Sequence, residues 1–473
     1  MVFASIGFLF FFLPALLLCY FIIPQRFRGA RNIVLLLFSL FFYAWGGPRL
    51  LGLILASIVI FYLAGLMVDP KNSTALRKFG VCFAVLGGVG LLGWFKYAMF
   101  VAENLSLLFP NLPVPYVVLP IGISFYTFQG LSYVLDVYWG TVPRQKNPLW
   151  VTLYIALFPQ LVAGPIVRYE TIALEIEHRK ENLADFSAGF TRILFGLGKK
   201  MLIANPMGLI ADAIFAHNPE LLSAPVAWVG ALAFAFQIYF DFSAYSDMAI
   251  GLGKLFGFHF LENFNYPYVA RSITDFWRRW HISLSTWFRD YVYIPLGGSR
   301  RGRGKLFRNL FIVWLLTGIW HGAAWNFVLW GLLFFVLLIG EKLLWGKALE
   351  KIPFVFGWAY TMFFVLISWV LFRAEDMGLA VSYLGALFGQ GSGEFSHVMY
   401  YFRQHWIEWI AVCLAMFPIT RLLQKALTRR EETSPLCGIV LAYGPKFIAL
   451  GLFFLSYMRL VTGAFNPFIY FRF

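Results

Sequence analysis

The 473-residue chain is 60% hydrophobic and only 13% charged, with 54 Phe and 17 Trp, whereas soluble domains carry about a quarter charged residues. This excludes an ordinary soluble enzyme and indicates a helical membrane protein built as one large domain over residues 1–473. The net charge of +15 does not imply nucleic acid: the basic residues sit in short loops between apolar runs, where an anionic leaflet is the expected partner.

A helical span needs roughly 20 apolar residues, and Val2 to Ile23 supplies the first run. It lacks a basic leader and a small-residue cleavage site, so a retained helix is expected rather than a signal peptide. The loop Pro24 to Asn32 holds Arg26, Arg28 and Arg31 without an acid. The positive-inside rule puts it in the cytoplasm and the N-terminus outside. The next runs meet at Gly46-Gly47-Pro48, an expected tight outer turn, and return to Lys71, Arg77 and Lys78. A loop with Glu103, Pro110, Pro113 and Pro115 then lies outside.

From Leu149 to Phe256 short apolar runs mix with Arg, Lys and Glu, and crossing and re-entrant segments are not separable there. Arg271 to Arg308 is the most basic stretch, including Arg278, Arg279, Arg300, Arg301 and Lys305, and is expected in the cytoplasm. Two apolar runs around His321-Gly322 are expected to form a hairpin ending at Lys342, Lys347 and Lys351. The acidic Glu375 to Phe395 segment is placed outside; Arg421, Lys425, Arg429 and Arg430 return inside, and a last helix carries the C-terminus out. About eleven transmembrane helices result, with additional re-entrant or interfacial helices. The four cysteines are scattered, with no CxxC pair, and neither a metal-ligand cluster nor HExxH or GxSxG is present.

His321 stands out within Leu315-Leu-Thr-Gly-Ile-Trp-His-Gly322. A helix starting near Leu306 would carry it roughly 22 Å into a core of about 30 Å. An ionisable group at that depth is a candidate functional site. Gly318 and Gly322 are expected to leave space beside the imidazole, whose pKa near neutrality suits proton abstraction from a hydroxyl. A histidine that only bonds a neighbouring helix fits the same residues. His281 falls on the apolar face of a helical pattern from Phe276 to Tyr291, read as an interfacial amphipathic helix with a Trp-rich buried side. By pattern it is an anchor at the headgroup boundary; at the mouth of a cavity it would be functional.

The run Gly297 to Lys305 fails the phosphate-loop spacing, and no strand precedes it. Its basic residues serve topology first, and could also attract the phosphates of a nucleotide-bearing donor. Asp241 and Asp247, six residues apart, do not share a helical face. Separate structural partners are expected for them rather than a carboxylate dyad.

Seven segments together resemble the membrane-bound O-acyltransferase (MBOAT) superfamily, and within it the membrane subunits of bacterial alginate O-acetylation. They are Leu119-Pro-Ile-Gly-Ile-Ser-Phe-Tyr-Thr-Phe-Gln129, Phe158-Pro-Gln-Leu-Val-Ala-Gly-Pro-Ile166 and Gly196-Leu-Gly-Lys-Lys200, followed by Phe240-Asp-Phe-Ser-Ala-Tyr-Ser-Asp247, Glu262-Asn-Phe-Asn-Tyr-Pro-Tyr268, Asp275-Phe-Trp-Arg-Arg-Trp-His281 and Thr317-Gly-Ile-Trp-His-Gly322. The closing Asn466-Pro-Phe-Ile-Tyr470 is also similar. The likeness is strongest over about residues 119–331. It implies an all-α helical ring around a central tunnel, with His321 as the essential histidine and His281 as the second characteristic one. It further implies acetyl-CoA as the cytoplasmic donor, and Arg278, Arg279, Arg300 and Lys305 are the basic candidates to attract its phosphates. No metal is expected. The expected partners are membrane lipid, an extracytoplasmic acetyltransferase or relay protein and a polysaccharide acceptor, in a bacterial inner or plasma membrane. D-alanyl transfer to teichoic acid from a carrier protein is the nearest enzymatic alternative. A transporter is the alternative from another class, although matching repeated halves are not evident.

Overall fold

The computed structural model describes residues 1–300, 302–394, 396–431, 434–463 and 468–469; Arg301, Asn466, Pro467 and Tyr470 lie outside the described residues. Helices account for the regular structure, and no strand occurs among the described residues. Among the described residues, seven helices are long and apolar enough to cross a membrane, or up to eight if the bent pair Trp406–Met416 and Ile419–Arg429, angled by 57°, is one span. Not all of the eleven expected segments reach that length, because several apolar runs form shorter helices. The first run forms a short helix over Phe8–Phe21, while Arg28–Ala44 and Ile123–Trp139 are 17 residues each. At 1.5 Å per residue, 17 residues span about 25 Å, less than a bilayer core of about 30 Å.

The chain divides into two compact units, Met1–Ile193 with Met248–Leu261, and Leu194–Asp247 with Glu262–Phe473. In the first unit, Pro48–Met67 begins at the Gly46-Gly47-Pro48 turn, where Gly47 takes φ 156°. The Phe61 ring packs where a side chain at Gly88 or Gly130 would clash, locking Pro48–Met67 against Thr74–Ser106 and Ile123–Trp139. Two arginines of the expected basic loop are not simply solvated. Arg28 and Arg31 both pair with Glu181, Arg31 at 3.0 Å. Burial would raise the Glu181 carboxyl, but hydrogen bonds from Arg28, Tyr20 and Gln25 hold it at about 2. Arg179 donates to Phe256 O at 2.8 Å and to Tyr20 Oη at 3.0 Å, and closes the cluster.

The second unit contains the hairpin expected around His321-Gly322. Arg303–His321 ends at Gly322, whose backbone is extended, and Trp325–Gly340 returns alongside it. Before the hairpin, the expected continuous amphipathic helix is broken. Ile273–Arg279 and Ile282–Phe288 are separate seven-residue helices, with His281 between them at φ 44°. The break has a local cause. Asn265 N donates to Arg279 O at 2.9 Å and Ile282 N donates to Asn263 O at 2.9 Å, so residues 263–265 take up groups a continuous helix would pair internally. Glu341 anchors the first short helix by accepting from Ile273 N at 2.6 Å and Thr274 N at 2.8 Å.

Candidate functional site

His321 closes Arg303–His321 and is only 6% exposed. Three rings meet it edge to face: Trp320, Trp330 and Phe372, with centroids at 4.9, 4.8 and 5.3 Å. Trp330 extends the aromatic wall to Trp369, whose indole N–H donates to Tyr268 Oη at 3.1 Å. The phenol in turn donates to Ala235 O at 2.6 Å. This chain fixes Trp369 and Tyr268 through hydrogen bonds as well as packing.

The expected space at Gly318 and Gly322 is occupied. A methyl at Gly318 would lie 2.5 Å from Phe327 O, and one at Gly322 would strike the Phe327 ring. Gly318 also faces Gly331, their Cα atoms close enough that a methyl on Gly318 would sit 3.4 Å from the Gly331 Cα. These glycines bring Arg303–His321 against Trp325–Gly340, in the manner of small-residue helix contacts in membranes. They fix the position of His321 rather than make room for a substrate. Thr317, expected on the same face, donates its hydroxyl to Val313 O at 2.7 Å, within its own helix.

His281 is fully buried rather than set at a boundary. It lies outside the long apolar helices, and burial pushes its pKa down to about 3, so the ring is neutral at physiological pH. Phe242 meets it edge-on at 4.7 Å, and its centroid is 6.2 Å from that of Trp320. Trp320 therefore neighbours both histidines, which the sequence separates by forty positions. Asn263 Oδ1 lies 3.2 Å from His281 Nδ1, 3.1 Å from Ser283 N and 2.9 Å from Ser283 Oγ.

The four basic residues assigned to a donor are not equivalent. Arg278, Arg300 and Lys305 are exposed. Arg279 instead binds Asp275 at 2.9 Å and Asn265 O at 3.3 Å, so its guanidinium holds the segment together. Asp241 and Asp247 take separate cations, Lys200 at 2.8 Å and Lys199 at 2.6 Å. The buried Asp241 also accepts from Ile469 N at 2.8 Å. Sequence reasoning gave no role to Asn263, Trp320, Trp330 or Glu341. Asn263 had a signal of a kind, an Asn in the Glu262-to-Tyr268 motif ahead of the histidine segment. Glu341 had none, because its partners are 67 residues or more away.

The site thus brings two buried histidines next to one tryptophan within a polytopic helical membrane fold. The family model for membrane-bound O-acyltransferases matches residues 142–377, which include both histidines. The chain is 39% identical over 507 residues to the probable alginate O-acetylase of Azotobacter vinelandii, covering all of both chains. It is 38% identical to that of Pseudomonas putida, again over the whole of both. The peptidoglycan O-acetyltransferase of Helicobacter pylori is 35% identical over 83% of this chain and 80% of its own. The chain belongs to the membrane-bound O-acyltransferase family, and it is an O-acyltransferase.

Proposed function

We propose that the enzyme takes an acetyl group from cytoplasmic acetyl-CoA and passes it across a bacterial cell membrane for O-acetylation of an extracytoplasmic polysaccharide. Alginate, or another exopolysaccharide or wall polymer, is the acceptor class. The observation that carries this reading is the burial of His281 and His321, both beside the ring of Trp320. Few settings explain two enclosed imidazoles in an apolar, aromatic-walled site better than a proton transfer shielded from water.

In this reading His321 removes the proton of the acceptor hydroxyl. The freed oxygen attacks the thioester carbonyl, and the tetrahedral intermediate collapses with release of the CoA thiolate. The imidazolium then returns its proton to the leaving sulfur, so no proton is gained or lost. Arg278, Arg300 and Lys305, being exposed, suit the donor's phosphates from the cytoplasmic side. The hydroxyl belongs to the sugar or to an extracytoplasmic relay protein. The relatives named for alginate and peptidoglycan acetylation support the acetyl group and the polymeric acceptor.

The test uses inside-out vesicles given acetyl-labelled CoA outside, with a soluble saccharide sealed inside. Label on lumenal saccharide, with CoA recovered only outside, supports transfer across the membrane. Labelled CoA recovered in the lumen would instead mean transport of the whole donor.

A further inference from the structure

We propose that Asn263 is a positioning residue that holds His281 as its Nδ1–H tautomer, leaving Nε2 as the basic nitrogen of that ring. The Ser283 backbone N–H can only donate, and it points at Asn263 Oδ1 from 3.1 Å. The Ser283 hydroxyl reaches the same atom at 2.9 Å. The side-chain amide is therefore oriented with its carbonyl oxygen toward this turn. His281 Nδ1 lies 3.2 Å from that oxygen, which can only accept, and 3.4 Å from Ser283 Oγ, whose hydrogen goes to the shorter contact with Asn263, so Nδ1 carries the proton. With the ring neutral in its buried setting, the lone pair is on Nε2.

The backbone supports the same reading. His281 occupies the left-handed region, at φ 44° and ψ 54°, a conformation that non-glycine residues rarely adopt. The bonds to Asn263 span this position, because Ile282 N and Ser283 N both end on that residue, one on its backbone and one on its side chain. Asn263 is itself fully buried, and its amide nitrogen makes no hydrogen bond among the described residues. What the position uses is the acceptor. A residue there needs an sp² oxygen, and Asp meets that need while Ala, Leu and Ser do not.

The inference rests on the reading that His281 takes part in acyl transfer, and the experiment separates the two. Purified full-length wild type and the variants Asn263→Ala, Asn263→Asp and His281→Gln are reconstituted in proteoliposomes and assayed with acetyl-labelled CoA across a pH series. Monodispersity and thermal melts verify folding. Loss of the correct tautomer lowers kcat of Asn263→Ala by about 100-fold, with KM for the donor little changed. Asn263→Asp restores most of this activity. Its carboxylate favours the imidazolium, so it introduces an acidic limb in the neutral pH range that the wild type lacks. A scaffold role alone would not move the pH profile.

If Asn263→Asp is as impaired as Asn263→Ala, or its profile matches the wild type, the positioning role is wrong while His281 keeps its place. Full activity of His281→Gln overturns the participation of His281 and the role of Asn263 with it. Should Asn263→Ala fail to fold, Asn263→Asp alone decides through its pH profile.

Discussion

Replacing Gly318 by alanine tests whether the helix contact behind His321 sets the geometry of the site. The added methyl would sit 2.5 Å from Phe327 O, where ordinary contact begins near 3.4 Å. Relief therefore requires a shift of about 0.9 Å between two helix backbones, neither of which can swing aside as a side chain can. Overpacking of this sort costs about 1–3 kcal/mol in stability. The larger effect falls on the rate, because misplacing a catalytic group by about 1 Å costs on the order of 100-fold. The assay is acyl turnover from labelled acetyl-CoA in proteoliposomes, with a melt in detergent to score folding. Gly90→Ala and Gly93→Ala, whose added methyls meet nothing within 4 Å, serve as controls and retain wild-type turnover. Gly318→Ala with unimpaired turnover would refute the idea that this contact positions His321.

Three further outcomes follow from other parts of the structure. Asp241→Asn leaves the buried Lys200 ammonium without its counter-charge while keeping an acceptor for Ile469 N. It lowers stability by about 3–5 kcal/mol, and adding Lys200→Met recovers much of that loss; a melt of Asp241→Asn unchanged from wild type contradicts it. His259 is half-exposed between Glu175 at 2.7 Å and Asp185 at 3.3 Å. Burial lowers its pKa, but the two carboxylates outweigh this and raise it above 6.5. Its stabilisation is therefore complete below about pH 6.5 and fades as pH rises through the folded value. His259→Gln removes that slope from melts taken across pH, and parallel curves for the two proteins would count against the pairing. Substituting Arg278, Arg300 and Lys305 together by alanine raises the KM for acetyl-CoA about tenfold with kcat retained. Arg279→Ala reduces thermal stability instead, and a KM effect from Arg279 alone would reverse the assignment.

The sequence made legible those features that depend on local pattern. Charge alternation and apolar length gave a polytopic helical protein, and the His321 hairpin followed from two apolar runs flanked by basic residues. Helix lengths were less legible, because a hydropathic run does not reveal where a residue such as Gly122, at φ 77°, starts the helix Ile123–Trp139 or where the Trp280–His281 pair interrupts one. The break at His281 depends on hydrogen bonds to Asn263 and Asn265, 14 to 20 residues earlier. Periodicity runs straight through it, so the pattern suggests an interfacial helix where the structure has a buried turn. Gly318 and Gly322 suggest room for a substrate because a sequence shows a missing side chain but not the Phe327 that fills its place. Arg279 and Arg278 are adjacent and chemically alike, and only the Asp275 partner separates their roles.

The most direct test of the account compares acyl turnover of the wild type and His321→Ala in proteoliposomes supplied with acetyl-labelled CoA. Both proteins must insert and melt alike for the comparison to count. With His321 at the centre of the chemistry, the wild type transfers label and His321→Ala loses at least about 100-fold. Turnover by His321→Ala equal to the wild type would contradict the central role of His321, whatever the surrounding aromatic wall suggests.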